Sequence, residues 1–229
     1  MAPRDPFYDL DGLIALDFMG ARAVFTTRSW GDVRDTQRRI SERLGVQPVR
    51  PNQVHGNGVL TVTAAATAET TAPTAESLEA DAVVTATSGL APMVITADCL
   101  PIVVAAPRAV AAVHAGWRGL DAGIIAKAVS AVRQLSGGMI DAAVGPGAGV
   151  CCYEVGDDLH RRFNSHCQDF RRGRNLDLKA IARVQLMEAG VARIHDASIC
   201  TICGDPTQTF SYRRDGPGTG RHAAIAWLT

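Results

Sequence analysis

Residues 82–119 read AVVTATSGLAPMVITADCLPIVVAAPRAVAAVHAGWRG, and this stretch decides the fold. Four short runs within it, AVVTA (82–86), PMVIT (92–96), PIVVAA (101–106) and AVAAVHA (109–115), are dense in β-branched or small apolar residues. Turn chemistry separates them. A strand covered on one face alternates apolar and polar residues, whereas a strand covered on both reads as a continuous apolar run. The four runs are therefore expected to be strands buried on both faces.

Upstream, residues 12–27 predict two more strands, LIALDF and RAVFTT, broken at Met19-Gly20. Val33, Ile40 and Leu44 recur at helical spacing in VRDTQRRISERL (33–44), and Gly45 supplies a stop. VRPNQV and GVLTVTA read as extended, and 64–79, poor in large apolar residues, as a surface loop. Downstream, Leu120, Ile124, Ala128, Val132 and Leu135 mark one face of a helix over 119–135, ended by Gly137-Gly138. DAAVGPG predicts a strand entering a tight loop, 156–166 and 177–189 two further helices, and HAAIAWL a closing strand. Hairpin-length connections mixed with helical crossovers favour an α/β protein, one compact domain over residues 1–229 with mixed β-sheets flanked by helices.

Composition narrows the function. Hydrophobic residues make up 47% and charged residues 20%, which suits a globular chain with a sizeable core. Lys+Arg and Asp+Glu are both 23, so no overall field draws the chain to nucleic acid or to an anionic membrane. The opening MAPRDPFYDLDG lacks the apolar run of a signal peptide, and the apolar stretches are too short to span a bilayer. The expected compartment is the cytoplasm, where the six cysteines (99, 151, 152, 167, 200 and 203) remain reduced thiols.

Three segments put soft or titratable side chains beside glycines at strand ends: NQVHGNG with His55, TADCLP with Asp98 and Cys99, and VHAGWRG with His114. Cys99 and His114 are separated by one strand and a turn, so a hairpin brings them together, whereas His55 must arrive through the tertiary fold. One thiolate and two imidazoles form a good zinc set, with a fourth position open to water or substrate. No short-range ligand pair exists, so spacing alone leaves open the reading of hydrogen-bonded histidines and a small buried thiol. Cys200-x-x-Cys203 near His195 is compatible with a structural metal or a redox pair, but no second CxxC accompanies it. The zinc deaminase signature, GxGxxG after a strand and GxxxxGK[ST] are all missing. GPGAGVCC (145–152) could offer backbone N–H groups to an anion, and Arg213, Arg214 and Arg221 could clamp a phosphate or carboxylate or form a structural cluster.

Taken together, QVHG, ADAVVT, TADCLPIV, VHAGWRG, GPGAGVCCYEVG, CT and SYRRDGPGTGR occur in the order seen in one family. Over roughly residues 22–228 the chain resembles the laccase-domain or polyphenol-oxidase-like family, also described as purine nucleoside phosphorylases and, in bacteria, as peptidoglycan editing factors. The resemblance implies a compact mixed α/β fold similar to cysteine hydrolases and deamidating toxins. It implies a zinc site at His55, Cys99 and His114, and FTTRSWG matches a family pattern that makes Arg28 a candidate substrate or phosphate contact. Family members usually carry a longer loop after that arginine. Here Trp30-Gly31-Asp32 runs directly toward the helix, which implies a more open site or altered specificity.

Three activities follow from the resemblance. The first is phosphorolysis of adenosine to adenine and ribose 1-phosphate, with adenosine deamination as a side activity. In it Arg28 and Arg118 neutralise phosphate, and Asp98 orients a ligand or shuttles a proton. The second is hydrolytic editing of a peptidoglycan precursor by attack on an amide, through Cys99 or metal-activated water. Copper-dependent phenol oxidation ranks last. It needs several metals in electronic contact, and the chain has six histidines (55, 114, 160, 166, 195 and 222), most of those outside the trio reading as solvated surface. A non-enzymatic zinc module partnering a cell-division or wall-synthesis protein is the remaining alternative. Cys151, Cys152 and Cys200 are expected to pack rather than to ligate.

Overall fold

The computed structural model describes residues 6–34, 37–63, 75–164 and 169–229. The chain enters through β1 (Tyr8–Leu10), β2 (Leu13–Phe18) and β3 (Ala21–Thr26), makes a 3-10 turn at Arg28–Trp30, and continues into α1 (Gln37–Leu44). Six strands follow: β4 (Gln47–Val49), β5 (Val59–Val62), β6 (Ala82–Thr85), β7 (Leu90–Thr96), β8 (Leu100–Ala106) and β9 (Ala109–Ala115). Next come α2 (Trp117–Asp121), α3 (Ile124–Leu135), β10 (Asp141–Val144) and α4 (Asp157–Phe163). The last part holds β11 (Arg171–Arg172), β12 (Asn175–Leu176), α5 (Leu178–Glu188), β13 (Arg193–Asp196), α6 (Tyr212–Asp215) and β14 (His222–Leu228).

Two six-stranded sheets result. One has the order β1-β2-β3-β14-β7-β4 and the other β13-β10-β8-β9-β6-β5. Both are mixed, since β4 with β7, β5 with β6 and β10 with β13 are parallel while the other pairs of these sheets are antiparallel. The apolar runs decide how they stack. Successive strand residues point to opposite faces, so Val103, Ala105, Val110, Ala112 and Ala143 of the second sheet meet Ile14, Leu16, Ala21, Ala23, Phe25, Val94, Ala224 and Ala226 of the first. Their neighbours Ile102, Val104, Ala111 and Val113 turn outward under α3 and α5, joining Ile125, Val129, Val132, Ile181 and Leu186. On the far side of the first sheet Leu13, Val24, Met93 and Ile225 are covered by Trp30, Val33 and Ile40. A four-layer α/β/β/α stack explains why the central runs carry no polar alternation: both their faces are dry.

Among the described residues no helix is long and apolar enough to cross a membrane. The expected 119–135 helix is interrupted, because Gly123 takes a left-handed conformation (φ 79°) between α2 and α3. The helix expected from residue 33 begins at Gln37, and residues 35–36 lie outside those described. The loop expected at 64–79 lies outside them for 64–74, as do His166 and Cys167. Most histidines outside the trio were expected on the solvated surface, but His160 on α4 is turned inward at 1% exposure, its Nε2 3.2 Å from the Arg174 carbonyl, and His222 is buried as well.

β10 leads straight into GPGAGVCC, where the backbone runs against the ring of Phe25 on β3. A Cβ at Gly145 would overlap that ring, whereas one at Gly137 meets nothing within 4 Å. Gly145→Ala is expected to lower the unfolding free energy by about 2–3 kcal/mol through overpacking, with Gly137→Ala near neutral. Urea unfolding of the two variants measures the difference.

Candidate metal centre and its cleft

The β8–β9 hairpin pairs Pro101 with His114 and Leu100 with Ala115. Cys99, one residue before β8, therefore sits at the same end of the hairpin as His114. His55 comes from the loop ahead of β5, and its ring stands edge-on to His114 with centroids 4.7 Å apart and planes at 81°. The candidate ligand atoms of His55, Cys99 and His114 lie within 4.8 Å of one another. His114 is buried at 3% exposure, Cys99 is half-buried and His55 is exposed, so the trio opens to solvent on the His55 side.

A residue not foreseen as a candidate organises this arrangement. Asp81, just ahead of β6, is fully buried. Its Oδ1 lies 2.7 Å from Nδ1 of His114 and accepts the His55 N–H at 2.9 Å, while Oδ2 accepts from Gly56 at 2.6 Å and Val54 at 3.3 Å. The His114 N–H also donates to the Asp81 carbonyl at 2.7 Å. Such a carboxylate fixes the orientation and tautomer of the imidazole, leaving Nε2 for a ligand role. It also holds the 54–56 backbone in place although His55 has a φ of 60°, a conformation that costs a non-glycine residue about 1–2 kcal/mol. The legible trace of Asp81 was an acid set directly before the short apolar run AVV.

Electrostatics follow from the packing. Burial opposes ionisation of Asp81, but His114 and the N–H groups of Gly56 and Val54 outweigh it and hold the carboxyl below its ordinary value. Burial likewise opposes the Cys99 thiolate, yet hydrogen bonding and charge from His114 and His55 bring the thiol down to about 6. Burial disfavours a charged His114, but Asp81 and Cys99 raise it to about 9. The donor set suits a borderline-soft divalent cation such as zinc. The backbone leaves room for it: a Cβ on Gly116 would stand 2.9 Å from the Cys99 sulfur and 3.4 Å from the His55 ring.

The trio lies in a cleft of about 620 Å³, within the range of small-molecule sites. Trp117, Tyr153 and Tyr212 supply aromatic walls, and Arg118, Arg213 and Arg221 supply cations. Asp98 lines it too, but Thr201 Oγ1 and the Arg213 N–H occupy its two oxygens at 2.6 and 2.7 Å, so it anchors the wall carrying Arg213. Arg28, expected to contact substrate, does not line this cleft. Its guanidinium donates to the Pro206 carbonyl at 2.9 Å and lies over the Phe210 ring at 4.6 Å. Arg214 is likewise engaged structurally, by the carbonyls of Thr201 and Thr209.

At about pH 7.5 Cys99 is already a thiolate while His114 still carries its second proton. His114 is therefore expected to give up one proton on metal binding there and none well above pH 9, and below about pH 6 the Cys99 thiol adds its own, so affinity falls as pH falls. Calorimetry in buffers of different ionisation enthalpy counts these protons. Asp81→Asn is expected to weaken zinc binding about 10–100-fold, read by competition with a chelating dye.

Residues 27–229 match the family model described as multi-copper polyphenol oxidoreductase laccase. A purine nucleoside phosphorylase of Xylella fastidiosa (strain 9a5c) is 39% identical over 212 residues, covering 86% of this chain and 78% of that protein. Purine nucleoside phosphorylase YfiH of Escherichia coli (strain K12) is 35% identical over 207 residues, with 86% and 81% covered. Among solved structures, YlmD from Geobacillus stearothermophilus superposes with a TM-score of 0.84 at 29% identity, over 98% of this chain and 99% of that one. The Bacillus licheniformis hypothetical protein YfiH gives 0.83 at 26%, over 99% and 100%. With the match running through every strand and loop that forms the cleft, the chain belongs to the multi-copper polyphenol oxidoreductase laccase family, in which these relatives named purine nucleoside phosphorylase stand.

Proposed function

We propose that this protein is a zinc-dependent purine nucleoside phosphorylase acting on adenosine and phosphate, with His55, Cys99 and His114 holding the metal. The observation that carries the reading is the trio, braced by Asp81, in a cleft walled by aromatic rings and arginines. The names of the relatives support the same reaction. Zinc bound there supplies a Lewis acid with an open coordination position.

The chain's own groups have separable tasks. A purine is a flat π surface, and Trp117, Tyr153 and Tyr212 offer rings for it to stack against. Phosphate brings about two negative charges, which Arg118 is placed to neutralise from the cleft wall, with Arg213 and Arg221 beside it. In phosphorolysis a phosphate oxygen forms the bond to the anomeric carbon as the bond to the purine nitrogen breaks, leaving electrons on the base. A proton donor eases that departure. Burial pushes the Tyr153 phenol up to about 12, so its hydroxyl stays protonated and can give the departing base a hydrogen bond rather than a proton. Thr96 Oγ1, buried in the cleft wall with no hydrogen-bond partner among the described residues, is a further polar contact for the nucleoside. Asp98 acts through Arg213 and Thr201 as a positioning residue.

A second reading, amide hydrolysis on a cell-wall precursor, is favoured by one observation: the Cys99 sulfur and a His114 ring nitrogen stand within 4.8 Å, with the thiol lowered and the imidazole raised by their mutual attraction, the pairing used in nucleophilic catalysis. Phosphate dependence separates the two. Zinc-loaded wild type is expected to release adenine from adenosine only with phosphate, and Cys99→Ala to lose the activity. Arg118→Ala is expected to raise the KM for phosphate about tenfold or more, and Arg28→Ala to leave it near wild type. Phosphate-independent turnover, or unchanged adenine release in Cys99→Ala, would overturn the phosphorylase reading.

A further inference from the structure

Among the described residues the cleft leaves four cysteines unused, and they converge. The sulfurs of Cys151, Cys152, Cys200 and Cys203 lie within 4.8 Å of one another, on two segments distant in sequence. Cys151 and Cys152 sit in the turn after β10, while Cys200 and Cys203 sit in the turn after β13. The two turns are tied by a parallel bridge between Gly147 and Cys200. Four thiolates at about 2.3 Å from one zinc ion stand about 3.8 Å apart, so this cluster needs only small side-chain adjustments to form a tetrahedral cage.

A second observation points to a ligand. The Gly149 N–H donates to the Cys200 sulfur at 3.2 Å, and the backbone of Ile202 and Cys203 favours the ionised form of the same thiol. Convergent backbone donors on the first sulfur of a C-x-x-C turn stabilise negative charge there, as needed by a metal-bound thiolate. The guanidinium of Arg214 interacts electrostatically with the same sulfur. Lys179 and Arg183 line an adjoining cleft of about 410 Å³ with Cys151 and Cys200, adding positive charge near a site that would carry two net negative charges. His195, considered a partner of Cys200 and Cys203, is directed elsewhere, edge-on to Phe18 at 6.1 Å.

We propose that Cys151, Cys152, Cys200 and Cys203 form a second, structural metal site that binds one zinc ion through four thiolates. Each thiol gives its proton to solvent as its sulfur bonds to the metal, so no oxidant or reductant takes part. The four-coordinate shell is closed, and the ion's role is to clamp. It joins the turn that delivers Tyr153 to the substrate cleft to the turn whose Thr201 holds Asp98. The proposal does not depend on what the His55–Cys99–His114 centre catalyses.

The test is metal stoichiometry of the full chain, purified under a phosphine reductant with zinc and then desalted. Wild type is expected to retain two zinc ions per chain by mass spectrometry of the metals. Cys151→Ser/Cys203→Ser is expected to keep one, and His55→Ala/Cys99→Ala also one. Cobalt titration of wild type and the His55→Ala/Cys99→Ala variant covers the case in which a cysteine variant fails to fold. In that variant, intense sulfur-to-cobalt charge transfer with tetrahedral visible bands is expected, since only the four-cysteine site remains. Loss of all strong cobalt–thiolate absorption in it would overturn the proposal. So would a single zinc in wild type, or a Cys151–Cys203 disulfide in protein that takes up no second metal.

Discussion

The buried carboxylate of Asp81 is the constraint on which the site depends. An unpaired charge at zero exposure would cost several kcal/mol, so its partners are obligatory. Those partners are the imidazole of His114 and three successive N–H groups of the loop bearing His55. One anion thus joins β9, the start of β6 and the loop before β5. The two histidines are held at a common distance by the need to satisfy that charge, before any metal enters. The left-handed backbone at His55 is tolerated because the same carboxylate rewards it with hydrogen bonds.

The layers make such a buried anion tolerable. Burial comes from the second sheet, whose strands β8 and β9 are covered on one face by the first sheet and on the other by α3 and α5. Polar chemistry is confined to the ends of these strands. Cys99 stands just before β8, and His114 lies near the end of β9 beside Gly116 and α2. The rigid, dry interior sets positions, and the loops at its edge present reactive side chains to solvent.

Much of this was legible in the residues. The unbroken apolar runs identified β6 to β9 as doubly covered, and AVAAVHA corresponds to β9 residue for residue. The pairing of Cys99 with His114 follows from hairpin arithmetic. What spacing could not reveal were the contacts made across the fold. Asp81 reads as an ordinary acid at a strand start until the 54–56 backbone closes on it. Arg28, a candidate substrate or phosphate contact by resemblance, has Phe210 and the Pro206 carbonyl against it, neither of which its spacing announces. β13, RIHD, was missed because three of its four residues are polar and its place in the sheet comes from parallel pairing with β10. Cys151 and Cys152 were read as packing residues because no local pattern joins them to Cys200 across some fifty positions.

The seam between the sheets is built largely from alanine: Ala21, Ala23, Ala105, Ala112, Ala143, Ala224 and Ala226. Alanine has no rotamer to freeze on folding, so this seam forms with little loss of side-chain entropy. For the same reason it has no rotamer with which to yield. A larger residue at one of these alanines would press on the facing sheet, against Leu16, Phe25 or Val103, or push the two sheets apart. Enlarging substitutions are therefore expected to be tolerated less in the middle of the protein than at its rims. The loops at the strand ends, which line the cleft, are where side chains can change size at lower cost.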